Sequence, residues 1–409
     1  MNRKVKAFVL GTSVLLVLFL VIGGVFGVSA GAPNDGAYKE VGVYSEVLSR
    51  INSDYVEQPN MPEVTSGALH GLLESLDPES SYMSPDEYKE YTTHKQNAAG
   101  HTGMTVSKRF GYAAVVSVLP GSPAEKAGVK PGDIMEALEG KTTRDLSVAE
   151  VRSMLQGEPG SSVEVALVKP RSAEPVKLKV QRALLTIPQT QSKMLESNIG
   201  YIQPITLTKG KAQEIATTIK QLQKQGANRI VLDLRDTGDG DPAEGAAVAN
   251  LFLNRGTITT LQGQKYATQQ FVADPSKAIT SAPVVVLTNS GTAGAAEIIA
   301  AALLENARGD VVGGKTFGVG SVQKTIELPD GAALLLSVAK FYTPGGKAIQ
   351  DNAVTPNIMV QNEDELFAAV TGDDDTGADN PPAEAAQPAK PKIDTQLQRA
   401  VEVLKNKKV

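Results

Sequence analysis

Apolar residues first recur at helical spacing at Val41, Tyr44, Leu48 and Ile51, and again at Val64, Leu69 and Leu72. Steps of three and four predict two amphipathic helices, over residues 38–56 and 61–75. "SLDPESSYMSPDEYKEY" follows, with Asp77-Pro78 and Ser84-Pro85 as breakers and caps. The region at 33–98 therefore reads as about three short helices.

The pattern then changes. Between residues 100 and 181, short apolar runs at 113–118, 134–138 and 162–168 alternate with Gly/Pro turns, which predicts strands. One helix interrupts them at 147–156, with Ser147 as N-cap, Gly157 at its end, and Val148, Val151 and Leu155 on one face. From 184 to 361, strands ("NIGYIQPI", "NRIVLDLRD", "APVVVLTN") alternate with helices at 209–225, 242–253 and 292–306. That order implies an α/β unit around a largely buried, partly parallel sheet. "TGDDDTGADNPPAEAAQPAKPK" has no apolar period and predicts a disordered linker over 362–393, before a last amphipathic helix within 394–409.

Composition narrows the chemistry. The chain has 409 residues, room for two or three domains, and a formal net charge of −5, unlike the basic balance of most nucleic-acid binders. It has no Cys, which excludes a thiol nucleophile and a zinc-thiolate site. Its three His residues, His70, His94 and His101, all lie in the first quarter. No cofactor or metal is expected.

At the start, Arg3, Lys4 and Lys6 precede "AFVLGTSVLLVLFLVIGGVFGVSAGA", an uncharged stretch long enough to span a bilayer. The basic flank should stay in the cytoplasm and the body outside it. Val28-Ser29-Ala30 also resembles a signal-peptidase site. Residues 1–32 are read as an uncleaved single-pass anchor in the inner membrane, with the body in the periplasm. A cleaved signal would export the chain equally.

"ALHGLLESLDPESSYMSP", "GSPAEKAGVKPGDI", "GYIQPITLT", "IVLDLRD", "TFGVGSVQKTIELPDGAALLLSVAKFYTPGGKAIQ" and "VTPNIMV" carry a resemblance over most of residues 38–361. In this order they resemble the C-terminal processing (tail-specific) proteases, exported serine peptidases with an inserted PDZ domain. The resemblance implies a multidomain α/β fold: a helical N-terminal region, a PDZ domain at 99–183 and a protease-like core with a mixed sheet at 184–361. In that family a Ser after a Gly-Ser-Ala run attacks, a Lys in a Phe-Gly-Lys-Gly segment is its base, and a Gln orients the Lys. Carried onto this chain, the nucleophile position is Gly294 in "GTAG", the base position is Val319 in "FGVGSVQ", and only Gln323 matches. The oxyanion positions fall at Gly240 and Ala295, but the family's Asn-Pro-Gly-Gly run reads "TGDG", which puts Asp239 where positive dipoles are needed. A Ser/Lys mechanism needs an oxygen nucleophile and a neutral amine, and neither position supplies one. Within the first helical turn after "APVVVLTN", nothing is a better nucleophile than Thr292.

The expectation is thus a family member without proteolytic activity, acting as a peptide-binding or scaffold protein. Its partners would be C-terminal peptides of envelope proteins, with an active paralogue or self-association as further partners, and no nucleic acid. The alternative is a serine endopeptidase cleaving envelope proteins near their C-termini with a non-standard site. PDZ domains bind a chain end as an added strand, with loop amides on the carboxylate. Here Thr102, Gly103 and Met104 would form that loop and Val148, Val151 and Leu155 the groove wall.

Other patterns compete. Ser290 and Lys315 could form a displaced dyad, against a turn Ser and a solvated Lys. "GDVVGGKT" spells a phosphate loop, but no helix follows it, so a strand and turn are expected. Asp236, Asp239 and Asp241 lack the full calcium-loop pattern and read as an acidic loop before a helix. His70 reads as a packing or surface residue.

A reporter active only outside the cytoplasm, fused after Val409, should be active. Recovery of the chain in the soluble cytosol would overturn the export expectation.

Overall fold

The computed structural model describes residues 35–97, 99–109, 111–169, 174–360 and 393–407. The expected anchor at 1–32 and nearly all of the expected linker at 362–393 lie outside the described residues. Among the described residues no helix is long and apolar enough to cross a membrane. The chain divides into two compact units, one up to Ala68 and one from Leu69 onward.

The first unit contains α1 (Asp35–Asp54) and the start of α2 (Met61–Glu74). In the second unit, α2 ends and is followed by β1 (Ser81–Met83) and α3 (Pro85–Asn97). His70 sits edge-on to Tyr82 at 5.5 Å and places Nε2 3.3 Å from Glu87 Oε2, a packing role as expected.

The PDZ sheet runs through β2 (Met104–Arg109), β3 (Tyr112–Val118), β4 (Ile134–Leu138), β5 (Ser162–Val168) and β6 (Val176–Gln181), paired antiparallel in that order, with the short strand Lys141–Thr142 added beside β4. Across it lies α4 (Val148–Met154). Its start is fixed by a capping box: Ser147 Oγ accepts from Glu150 N–H at 3.1 Å, and Glu150 Oε2 accepts from Ser147 N–H at 2.8 Å. Val106, Met135, Leu138, Val151, Val163 and Leu167 form part of this domain's own core.

The core sheet is mixed, in the order β7 (Gln191–Leu195), β8 (Ile199–Gln203), β9 (Arg229–Asp233), β12 (Val284–Thr288), β13 (Gly309–Gly313) and β16 (Ile358–Met359), antiparallel only at β7–β8. Between them in sequence come β10 (Thr257–Gln262), β11 (Gln269–Val272), β14 (Ser321–Glu327) and β15 (Ala333–Tyr342). These four and β1 build a second, antiparallel sheet centred on β15, which the sequence reading had not separated from the core. The "GDVVG" run is β13, with Val311 and Val312 fully buried, so it cannot be a phosphate loop.

Both faces of the mixed sheet are covered, which explains the unbroken apolar run of β12. Val284 and Val286 face α5 (Lys211–Lys224), α6 (Pro242–Asn250) and α7 (Ala295–Glu305). The alternate residues Val285 and Leu287 face α8 (Thr395–Lys405) through Ala400 and Leu404. Arg229 clamps the C-terminal end of α8, donating from Nε to Leu404 C=O at 2.9 Å and from Nη2 to Lys407 C=O at 3.2 Å. At the other end Arg235 makes a bidentate pair with Asp394, both bonds 2.9 Å.

Leu404 is fully buried in this layer. Leu404→Ala should therefore destabilise the chain by about 2–5 kcal/mol, read as a lower midpoint in urea. An unchanged midpoint would mean that α8 adds nothing to the core.

Candidate functional site

β12 delivers the chain to a tight turn before α7. Asn289 Oδ1 accepts from the N–H groups of Asp236 and Gly291, both at 3.0 Å, and its Nδ2 donates to Asp236 Oδ1 at 2.9 Å. Thr292 is fully buried and its hydroxyl donates to Leu234 C=O at 2.8 Å, so it holds the turn and has no path to a ligand. Gly294 then caps α7 with φ 59° and ψ −115°. This conformation suits glycine, and a Cβ placed there would meet nothing within 4 Å. The turn therefore leaves open space beside Gly294, the position where the resemblance implies a nucleophile.

The organising group is Glu297, the one carboxylate near the start of an otherwise apolar helix face, fully buried. Oε2 accepts from Gly294 N–H at 2.9 Å and from Val319 N–H at 2.8 Å. Oε1 accepts from Gly318 N–H at 2.8 Å and from the Thr316 hydroxyl. One oxygen thus bridges the backbone of the two positions where the family resemblance expects nucleophile and base. Burial pushes the Glu297 carboxyl up to about 7, against the pull of those four hydrogen bonds.

Gly294 and Val319, the two positions joined in this way, line a cavity of about 490 Å³. Gly294, Val319, Gln323 and the expected oxyanion positions Gly240 and Ala295 all border it. Gln323 is turned to its neighbours, donating from Nε2 to Ser321 Oγ at 2.7 Å and towards Ser337 Oγ at 3.4 Å. The 237–240 loop is fixed beside the turn, since Ala293 N–H donates to Thr237 C=O at 3.1 Å and Leu207 N–H donates to Asp239 C=O at 2.8 Å. The Asp239 side chain borders the cavity, and loss of water around it raises its carboxyl above the ordinary value, with His101 opposing.

The cavity continues into the PDZ domain, where Thr102, Gly103, Met104 and Leu155 border it. The expected groove wall needs revision. Val148 and Val151 are 2% and 0% exposed and do not border the cavity; they are sealed beneath α4. Gly103 is required by packing, because a Cβ would lie 2.3 Å from Ser122 Cβ. The sequence reading also missed Arg152. From α4 it donates to Val106 C=O from Nε at 3.1 Å and from Nη2 at 3.0 Å, and it pairs with both oxygens of Glu79 at 2.8 and 3.0 Å. It thereby occupies a carbonyl on the free edge of β2.

The competing patterns separate. Lys315 borders a different cavity of about 210 Å³, and Ser290 borders neither. Asp241 caps α6, accepting from Ala243 N–H at 2.8 Å, and Asp236 is tied to Asn289. Among the described residues no group of three or more His, Cys, Asp or Glu side chains could hold a metal ion.

Known proteins agree with this architecture. The profile of Peptidase family S41 matches residues 198–360, and that of the PDZ domain matches 115–169. The chain is 31% identical to the carboxy-terminal processing protease CtpA of Bacillus subtilis, over 89% of this chain and 79% of that protein. It is 30% identical to the carboxy-terminal-processing protease of Bartonella bacilliformis, over 99% of this chain and 96% of that protein. The chain belongs to the carboxy-terminal processing proteases of peptidase family S41. Among solved structures, the photosystem II D1 C-terminal processing protease superposes with a TM-score of 0.64 at 26% identity, covering 81% of this chain and 97% of that one. The S41 chain described here thus has the expected α/β multidomain fold with a PDZ domain.

The Glu297 shift has a stability consequence. A carboxyl with a folded pKa of about 7, above the ordinary 4.5, binds its proton more tightly when folded. Its contribution therefore falls as pH rises from about 4.5 to 7 and is level above that, by up to about 3 kcal/mol. Urea midpoints across this window should fall with pH in the native chain and flatten in Glu297→Gln. An equal slope in both would show that another group sets it.

Proposed function

We propose that this chain is an exported, membrane-anchored S41 relative that binds chain ends through its PDZ domain and cleft and does not hydrolyse them. One observation carries the reading: a single oxygen of Glu297 holds the amides of Gly294 and Val319, so the two positions keep their place on the cavity with no nucleophile and no base. Asp239 adds to it, since a carboxylate beside the turn opposes a developing oxyanion. The continuous cavity from the 101–104 loop to Gly294 supports a peptide ligand whose carboxylate sits in the PDZ domain. Entry as an added strand requires Arg152 to release Val106. The basic flank and apolar stretch before residue 33 support the anchor, and envelope proteins are then the natural source of ligands. An active paralogue or a second copy would be the scaffolded partner.

The test uses the full-length chain in detergent with peptides of apolar C-terminus. No cleavage above blank and no labelling by fluorophosphonates are expected. Calorimetry should give roughly micromolar affinity, about −8 kcal/mol or weaker, lost when the peptide terminus is amidated. Gly294→Ser with Val319→Lys should restore weak cleavage at most, because a missing oxyanion donor costs about a hundredfold or more. Cleavage or labelling of the native chain would establish the endopeptidase reading instead, and loss of label in Ser290→Ala would assign it to the displaced dyad.

A further inference from the structure

The charges around the cavity do not balance. Three carboxylates border it, those of Glu79, Asp236 and Asp239, against one guanidinium, that of Arg152, and the imidazole of His101. Glu79 and Arg152 satisfy each other, and Asp236 is bonded by Asn289. Asp239 is left: among the described residues its carboxylate has neither a hydrogen-bond donor nor an ion-pair partner. Its backbone is fixed by Leu207, so the side chain cannot leave the cavity by moving the loop cheaply. Asp239 is exposed at the edge of the cavity, so its charge stands open to a ligand cation without another bond having to break first.

The kind of cation follows from the surroundings. Asp236 and Asp241 are committed elsewhere, so a divalent metal ion would find one carboxylate and no cage. Ile298, Val319, Phe341 and Ile349 supply an apolar wall to the same cavity. A charged head group on a long aliphatic stem fits both features, with the stem on the wall and the head at the carboxylate.

We propose that the cleft selects chain ends that carry a lysine or arginine upstream of the terminal carboxylate, its basic head group held by Asp239. The assignment rests on the peptide-binding reading above and names the ligand class for it. Asp239 is a specificity residue in this scheme, placed where the family resemblance expects oxyanion dipoles.

The experiment is a lysine scan. Ten-residue peptides with an apolar C-terminus carry one Lys, moved through every non-terminal position, against norleucine at the same position. Each is titrated by calorimetry into the full-length chain in detergent, as free acid and as amide. Lys should strengthen binding about tenfold at one or two adjacent positions, and the gain should shrink with added salt. In Asp239→Asn the gain should vanish while the norleucine peptides bind as before. Because Asp239 has no side-chain partner to lose, this variant should melt as the native chain does. If amidation weakens binding but the scan is flat, or if Asp239→Asn keeps the lysine preference, the Asp239 assignment is overturned and the recognition of chain ends stands. If amidation changes nothing, chain-end recognition itself is overturned.

Discussion

The cleft depends on one buried carboxylate. Glu297 is cut off from water, and a charge in that position survives only with its lone pairs met by donors. Three backbone amides and one hydroxyl meet them, and they come from two separate stretches of chain. The start of α7 and the 316–319 segment are therefore fixed to each other by backbone groups. Side chains at 294 and 319 take no part in that bond. The bond is therefore made with glycine at 294 and valine at 319, and the S41 fold and its cavity are held around them.

A second ionic clasp joins the remaining pieces. Glu79, just ahead of β1, reaches Arg152 on the PDZ helix, and Ser107 of β2 donates to the same carboxylate at 3.1 Å. β1 belongs to the antiparallel sheet of the core through its pairing with β15. Glu79 thus holds the PDZ domain from the core side through Arg152, the same side chain that occupies the Val106 carbonyl on the β2 edge. The proposed strand addition and the docking of the PDZ domain would then share that one pair of charges.

Much of the fold was legible because it is written in local chemistry. Ser147 and Glu150 announce the start of α4, and the apolar run of β12 announces a strand covered on both faces. The antiparallel sheet was not legible, since β1 and β15 pair across 250 residues of sequence and nothing in Ser81–Met83 names its partner. Gly294 and Val319 border one cavity, but what joins their backbones was not legible. Glu297 did leave a signal, a single acid in "AAEIIAAALL", where an apolar face should have none. Val151 misled because a helix residue facing the sheet and one facing the groove share the same periodicity; only burial separates them. Arg152, a charge beside that stripe, gave no hint that it would cross to Val106.

Gly294 makes any side chain at this point of the cleft a matter of strain. Its backbone lies where a residue with a Cβ sits at a cost of order 1–3 kcal/mol. Open space alone does not remove that cost, because it is set by the backbone and not by the neighbours. The position therefore behaves as a ratchet: a step to glycine is downhill in stability, and every step away from it is uphill before the new side chain has met anything.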